Sequence, residues 1–109
     1  MESLLVIYIT CPSYEEAESL SRKILEEKLA ACCNIINGVQ SFFWWEGEID
    51  QAEEALVIVK SQKSRLKELV EFVQMYHPYD VPEIIALPIV GGSQDYLKWV
   101  KKESTDEWK

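Results

Sequence analysis

The chain has 109 residues, a length that fits one domain over residues 1–109, and its 48% hydrophobic content is enough to build a core. A formal net charge of −8 disfavours binding to nucleic-acid phosphates or to anionic membrane surfaces. The three cysteines have neither the spacing of a disulfide framework nor that of a zinc finger, which predicts a cytosolic protein in a reducing compartment.

The first elements predicted along the chain are a strand and a helix. Residues 4–10 form a continuous apolar, β-prone run, which is typical of a central strand covered on both faces. Ser13 and Glu16 have the spacing of a helix capping box. An amphipathic pattern follows them and predicts a helix that ends near Lys28.

The middle of the chain predicts a hairpin and a further strand. Residues 29–36 and 39–45 both have strand patterns, and the pair at 46–47 predicts a tight turn. The polar residues 51–54 predict a bulge or loop after the turn. Residues 55–60 then predict the next strand.

The last part of the chain predicts a helix, a strand and a second, shorter helix. Ser61 is the predicted start of the longer helix, whose apolar stripe runs to the stop at His77-Pro78. Residues 84–89 predict the fourth strand, and Pro88 places one side of it at a sheet edge or bulge because proline cannot donate to a ladder. Ser93 is the predicted cap of the short C-terminal helix.

This order of elements predicts the fold. The sequence β-α-β-β-α-β with right-handed crossovers gives an α+β fold of the ferredoxin-like type, a βαββαβ sandwich with an antiparallel sheet and helices on one face. The additional helix at the C-terminus extends that pattern.

Four aromatic residues follow one another in the predicted hairpin: Phe42, Phe43, Trp44 and Trp45. Strand alternation sends Phe42 and Trp44 to one face and the other two to the opposite face. A single chain has no obvious cover for both faces, and large apolar patches usually mark an interface. We therefore predict that these residues form the interface of a cyclic homo-oligomer. The alternative is a hairpin that curls over its own core.

The stretch from His77 to Glu83 contains the only histidine, two prolines and two carboxylates, on a connection that the prolines make stiff. Thiolate, imidazole and carboxylate are ligands for copper or zinc, so the residues predicted to bind a metal are Cys11, His77 and Glu83. The alternative is a free cysteine at a strand end and a histidine at a helix C-terminus, where its positive form suits the helix dipole. A catalytic trio of Cys11, His77 and Asp80 has little support, and the sequence predicts no enzyme.

Four motifs, taken together, resemble those of the CutA family, the divalent-cation tolerance proteins. They are Leu29-Ala30-Ala31-Cys32 with Asn34-Ile35, Trp44-Trp45-Glu46-Gly47-Glu48-Ile49, His77-Pro78-Tyr79-Asp80-Val81-Pro82-Glu83-Ile84-Ile85, and Tyr96-Leu97-Lys98-Trp99. The resemblance implies a ferredoxin-like protomer, similar to signalling PII proteins, in a tight homotrimer. It also implies a role in copper tolerance, with copper binding through the thiol at Cys11 and histidines just before the proline. Tyr76 stands in place of the first of two such histidines, so the implied binding is weak.

Two functions of different classes follow, with a third as the simplest case. The first is a homotrimer of metal-ion response that binds copper(II) or another divalent cation weakly and needs no ion to fold. The second is a PII-like sensor that binds a small metabolite in clefts between subunits and signals to an unknown protein partner. The third is a trimeric scaffold without a ligand.

Overall fold

The computed structural model describes residues 3–105, which form an α+β fold. Its elements are β1 (Leu4–Cys11), α1 (Tyr14–Glu26), β2 (Cys32–Trp45), β3 (Glu48–Gln62), a 3-10 turn (Lys63–Arg65), α2 (Leu66–Tyr76), β4 (Ile84–Pro88) and α3 (Gln94–Glu103). The predicted order β-α-β-β-α-β, followed by a helix, is confirmed.

All neighbouring strands of the four-stranded sheet are antiparallel, in the order β2-β3-β1-β4. This order places β1 and β3 at the centre and leaves β2 and β4 at the edges, as in a ferredoxin-like sandwich. Pro88 lies on the edge strand β4, opposite Leu5 of β1, so its missing N–H costs no hydrogen bond to a further strand of this sheet. The predicted fold class is confirmed.

The main core lies between one face of the sheet and helices α1 and α2. Strand alternation directs Ile7, Ile9 and the other odd-numbered residues of β1 to this face. Helix α1 is capped as predicted, because the Ser13 hydroxyl accepts a hydrogen bond from the Glu16 N–H at 3.1 Å. The core residues that the helices contribute are Ala17, Leu20, Ile24, Leu69 and Val73.

The other face of the sheet is apolar but only partly covered. At one end Leu4 packs against Leu97 and Val100 of α3 in a second, smaller cluster. Beyond α3 the face carries apolar side chains that are half-buried or exposed: Val6, Tyr8, Ile36, Leu56, Ile58, Ile85 and Leu87. Among residues 3–105, helices α1 and α2 therefore cover one face of strand β1, whereas α3 covers only one end of its other face.

The β2–β3 hairpin is longer and more regular than predicted. Its tight turn is confirmed, with Glu46 and Gly47 both at positive φ. Residues 51–54, predicted as a bulge or loop, belong to β3 because they pair with residues 39–42 of β2. The irregularity lies on the other strand instead, between Ile36 and Val39, where Gly38 has φ +73°.

Two other element boundaries also differ from the prediction. Strand β2 begins at Cys32 rather than at Leu29, because Lys28 takes the left-handed conformation and the Leu29 N–H bonds the Ile24 carbonyl to close α1. Strand β3 runs on to Gln62, so Ser61 does not start α2. The Ser61 hydroxyl instead donates to the Leu29 carbonyl at 2.6 Å.

Candidate functional site

The His77 side chain joins the end of α2 to the end of β1. It is buried, with 8% of its surface exposed, and its Nε2 lies 2.7 Å from the carbonyl oxygen of Thr10. On the other side of the ring, the backbone N–H of Tyr79 donates to Nδ1 at 3.1 Å. The sequence motif that follows the helix is therefore held against the sheet by its histidine.

These two contacts define the tautomer of His77. A carbonyl oxygen can only accept, so Nε2 carries the hydrogen, and Nδ1 must be unprotonated because it accepts from an N–H. The ring is thus the neutral Nε2–H form, not the positive form that was the alternative for a helix C-terminus. It is the backbone N–H of His77 that extends the helical bonding, to the Val73 carbonyl. Neither ring nitrogen offers a free lone pair to a metal.

Cys11 is close to His77, as the metal-site prediction requires. Both residues line one small cavity of about 30 Å³, together with Glu16 and Lys23. The Cys11 side chain is 1% exposed, and burial raises the pKa of its thiol from 9 to about 11, with smaller contributions from the negative charges of Glu16 and Glu54. Because metals bind the thiolate, a metal at Cys11 would first have to displace this tightly held proton.

Alkaline pH is expected to weaken the fold through Cys11. The folded thiol keeps its proton to a pKa of about 11, whereas an unfolded thiol loses it near 9. The resulting stabilisation is complete below pH 9 and is lost as pH rises through 11. Thermal unfolding at about pH 8 and pH 11 should show a smaller fall in Tm for Cys11→Ser than for wild type or for the control Cys32→Ser. Equal falls in all three would contradict the assignment.

Glu83, the third predicted metal ligand, lines a different space from Cys11 and His77. Its exposed side chain faces a larger cleft, whereas the other two line the small cavity. Within residues 3–105, no group of three or more His, Cys, Asp or Glu side chains is placed to hold a metal ion. The residues present therefore do not form a ready-made metal centre, and the assignment of Cys11, His77 and Glu83 stays a prediction.

The larger cleft has a volume of about 880 Å³ and lies between the β2–β3 hairpin and the segment 78–83. It is called the hairpin cleft below. Its walls include the aromatic side chains of Phe43, Trp45 and Tyr79. Four carboxylates also line it: Asp50, Glu54, Asp80 and Glu83.

The Tyr79–Glu54 pair is the most constrained part of the hairpin cleft. The Tyr79 hydroxyl donates to Glu54 Oε2 at 2.8 Å. Burial, reinforced by the hydrogen bond to Glu54 and its negative charge, raises the pKa of Tyr79 from 10 to about 12. The phenol therefore remains a donor at neutral pH, and the pair fixes the segment after α2 to strand β3.

Sequence reasoning missed the roles of Glu54 and Thr10. The polar pattern of residues 51–54 predicts a bulge or loop at Glu54, and its partner Tyr79 is 25 residues away in sequence. Thr10 acts through its backbone carbonyl, which every residue has, so its identity carries no signal. For Glu54, the sequence holds one signal: it is an acidic residue directly before the apolar run 55–59.

The aromatic residues of the hairpin are exposed in the protomer. Trp44 and Phe42 are 73% and 66% exposed, and Phe43 and Trp45 lie on the opposite face; all of these except Trp44 line the hairpin cleft. The pairing register confirms the predicted alternation, since Phe42 and Phe43 face successive residues of β3. The alternative of a hairpin curled over its own core does not describe residues 3–105.

Comparison with known proteins identifies the family. The model of the CutA1 divalent ion tolerance protein family matches residues 5–103. This chain belongs to that family. The predicted resemblance to CutA proteins is confirmed.

Two members illustrate how close the relationship is. The chain is 46% identical over 102 residues to "Protein CutA 1, chloroplastic" of Oryza sativa, which covers 94% of this chain and 58% of the rice protein. It is 47% identical over 94 residues to the divalent-cation tolerance protein CutA of Archaeoglobus fulgidus, covering 86% and 91% of the two chains. The chain thus spans little more than half the length of its rice relative.

Solved CutA structures share the fold. The crystal structure of CutA1 from Oryza sativa superimposes with a TM-score of 0.93 at 44% identity, covering 97% of both chains. The structure of the CutA protein from Archaeoglobus fulgidus gives a TM-score of 0.90 at 43% identity and covers 94% and 99%. Both agree with the ferredoxin-like arrangement described above.

The predicted cytosolic location is wrong. The rice CutA protein is named as chloroplastic, and the Archaeoglobus protein is described as periplasmic. Three free cysteines report at most on redox conditions, which do not distinguish the cytosol from other compartments. Separately, no helix within residues 3–105 is long and apolar enough to cross a membrane.

Proposed function

We propose that this protein acts in divalent-cation tolerance as a homotrimer that binds a metal ion weakly. Its membership of the CutA1 divalent ion tolerance family is the observation that carries the proposal. Members are named for tolerance of ions and not for a reaction, which supports a role without catalysis.

The uncovered apolar surface of the protomer supports self-association. The open sheet face exposes Ile36, Ile85 and Leu87, and by the pairing register the hairpin extends this face with Phe43 and Trp45. Patches of this kind usually mark interfaces. Strands β2 and β4 each have an edge without a partner strand in the sheet of residues 3–105, so copies of the chain have edges available for pairing. Closed cyclic assembly would cover the face and protect the edges together.

The proposal that metal binding is weak is supported by the local geometry of Cys11 and His77. The two side chains line the same cavity, which supports a shared ion. To bind it, the thiol must lose a proton held to a pKa of about 11, and the imidazole must give up a hydrogen bond. Both requirements subtract from the binding free energy.

Copper(II) titration by anaerobic calorimetry tests the metal site. The dissociation constant is expected to rise about tenfold or more in Cys11→Ser, since even residues behind the ligands change metal affinity by roughly 10–100-fold. Cys32→Ser is the matched control, because that thiol lies outside the cavity, and it should bind as wild type does. His77→Ala and Glu83→Gln complete the set. Identical binding in every variant would remove these residues from the proposal.

The hairpin cleft favours a second candidate function, a sensor of a small metabolite. Its volume of about 880 Å³ is within the range of small-molecule sites, and it combines aromatic walls with a few fixed polar groups. In a trimer the exposed hairpin beside it would bring the cleft close to a neighbouring chain. In this candidate the segment 78–83 lines a metabolite site, and an unidentified protein partner reads its occupancy. A trimeric scaffold without a ligand is the remaining alternative.

A further inference from the structure

The two asparagines of the chain, Asn34 and Asn37, both lie on the edge strand β2, and both side chains are exposed. Asn34 is held in place, because its side-chain carbonyl accepts hydrogen bonds from the Lys60 ammonium group and the Cys32 thiol. Within residues 3–105 the Asn37 side chain makes no hydrogen bond. The two asparagines therefore differ in how freely their side chains move.

The backbone beside Asn37 is also less constrained than that of a regular strand. The pairing of β2 with β3 is interrupted between Ile36 and Val39, so neither Asn37 nor Gly38 has a partner residue on β3. Gly38 has φ +73°, and apart from its chain neighbours no heavy atom of residues 3–105 lies within 4 Å of the position that a Cβ would occupy. The Gly38 nitrogen therefore has room to approach the Asn37 side chain.

Asn37 does not share the sheet face that the proposed homotrimer would cover. Ile36 lies on the open sheet face with its partner Leu56, and strand alternation directs the next residue to the opposite side. A bulge also makes an edge less suitable for pairing with a strand of another chain. Self-association through the open face therefore leaves Asn37 accessible to water.

We propose that Asn37 is a site of intramolecular deamidation, with the backbone nitrogen of Gly38 as the nucleophile. This nitrogen forms a bond to Asn37 Cγ, the bond from Cγ to the side-chain nitrogen breaks, and ammonia leaves with the proton of the Gly38 amide. Water then opens the cyclic imide. Opening at Cγ gives aspartate, and opening at the main-chain carbonyl carbon gives isoaspartate. The reaction consumes one water, releases one ammonia and involves no oxidation or reduction.

The same reaction is hindered at Asn34. The next residue, Ile35, pairs with Val57 in the regular part of the ladder and packs against the main core. Its β-branched side chain crowds the backbone nitrogen that would have to attack. The Asn34 side chain must also give up its hydrogen bond to the charged Lys60.

The fold should tolerate the modification at Asn37. Either product adds one negative charge to the formal net charge of −8 per chain. Isoaspartate also adds one atom to the main chain, at a point where the ladder already accommodates an irregularity. Because the reaction needs no enzyme, the modified fraction should increase with the age of the molecule. This inference is independent of the metal and metabolite proposals above.

Incubation of the full-length protein at mildly alkaline pH, followed by peptide mass spectrometry, tests the proposal. Asn37 is expected to deamidate at least about tenfold faster than Asn34, which must first break a hydrogen bond to a charged group. Labelling by an isoaspartyl methyltransferase should locate isoaspartate at the same position. Far-UV circular dichroism of the incubated protein should match that of the fresh protein.

The same measurement in urea separates the effect of the fold from that of the local sequence. If the folded protein leaves the site open, Asn37 should deamidate within about tenfold of its rate in the unfolded chain, as expected for a region that needs little local opening. If the reaction required global unfolding, the folded rate would be about 10³-fold lower or less. A folded rate more than about tenfold below the unfolded one, as would follow if a neighbouring chain covered Asn37, overturns the proposal.

Two matched variants assign the product to one residue. Ion-exchange chromatography should show the same new acidic species after incubation of wild type and Asn34→Gln, and should not show it for Asn37→Gln, whose longer side chain disfavours the cyclic imide. The same acidic species in Asn37→Gln, or equal deamidation of Asn34 and Asn37 in the wild type, would contradict the assignment. The wild-type comparison of folded and unfolded rates remains decisive if Asn37→Gln does not fold.

Discussion

Replacing Trp44 and Trp45 together by serine is expected to convert the proposed homotrimer into single chains. In the protomer these side chains are 73% and 61% exposed, so they contribute little to the core between the sheet and helices α1 and α2. Any free energy gained by burying these two rings therefore stabilises the contact with the surface that covers them. Full burial of a tryptophan removes about 150–250 Å² from water, which at roughly 25 cal/mol per Å² is worth about 4–6 kcal/mol as an upper bound. Loss of two such rings from each chain is a large fraction of any association free energy.

Light scattering and native mass spectrometry at micromolar concentration measure the result. The wild type should have three times the mass of one chain, and the double variant should have the mass of one. Far-UV circular dichroism should remain close to wild type, since the rings pack outside the main core.

Trp99→Ser is the control for the loss of an exposed tryptophan as such. Trp99 lies on α3, is 42% exposed and contacts Tyr96 of the same helix, away from the hairpin. This variant should keep the mass of three chains. A wild type that runs as a single chain would contradict the trimer directly. A double variant that keeps the wild-type mass would exclude the hairpin from the interface.

The parts of the fold that could be predicted are those governed by local patterns. The apolar run of β1, the Ser13 cap and the turn at Glu46-Gly47 each depend on residues close together in sequence, and the structure has all three. The exposure of the aromatic run could also be predicted, because four consecutive large rings on a strand must occupy both of its faces.

The errors arose where distant residues decide the local structure. The polar residues 51–54 lack a strand pattern of their own and are held in β3 by pairing with β2 across the hairpin. The end of α1 depends on Lys28 at positive φ, a conformation that is unusual for lysine and gives no signal in the sequence.

The candidate site shows the same division between local and distant determinants. Two prolines predict the stiff segment after α2, but the residues that fix it are distant in sequence: Thr10 is 67 residues from His77, and Glu54 is 25 residues from Tyr79. In the sequence, only the chemical type of Cys11, His77 and Glu83 marks them as metal ligands. Whether a ring nitrogen has a free lone pair depends on hydrogen bonds between elements that only the folded chain brings together.

Replacing His77 by alanine is expected to destabilise the protein by about 2–5 kcal/mol. The substitution leaves the Thr10 carbonyl and the Tyr79 N–H without their partner, and each buried polar group left unsatisfied costs about 1–3 kcal/mol. It also removes a side chain that is 92% buried, given its 8% exposure, and so creates a cavity beside Cys11. Chemical denaturation followed by circular dichroism measures the loss, at one fixed protein concentration because association adds to stability.

Gln74→Ala is the matched control, since Gln74 is exposed on the same helix three residues earlier and should change stability by no more than about 0.5 kcal/mol. A loss in His77→Ala as small as in the control would mean that His77 does not hold the proline-rich segment to the sheet.

The same measurement bears on the metal hypothesis. Both ring nitrogens of His77 form hydrogen bonds that stabilise the fold. If the ring binds a metal, it must release at least one of these bonds, and the protein loses part of that stability. Copper(II) bound through His77 should therefore lower the resistance of the segment to proteolysis, whereas copper bound elsewhere should leave it unchanged.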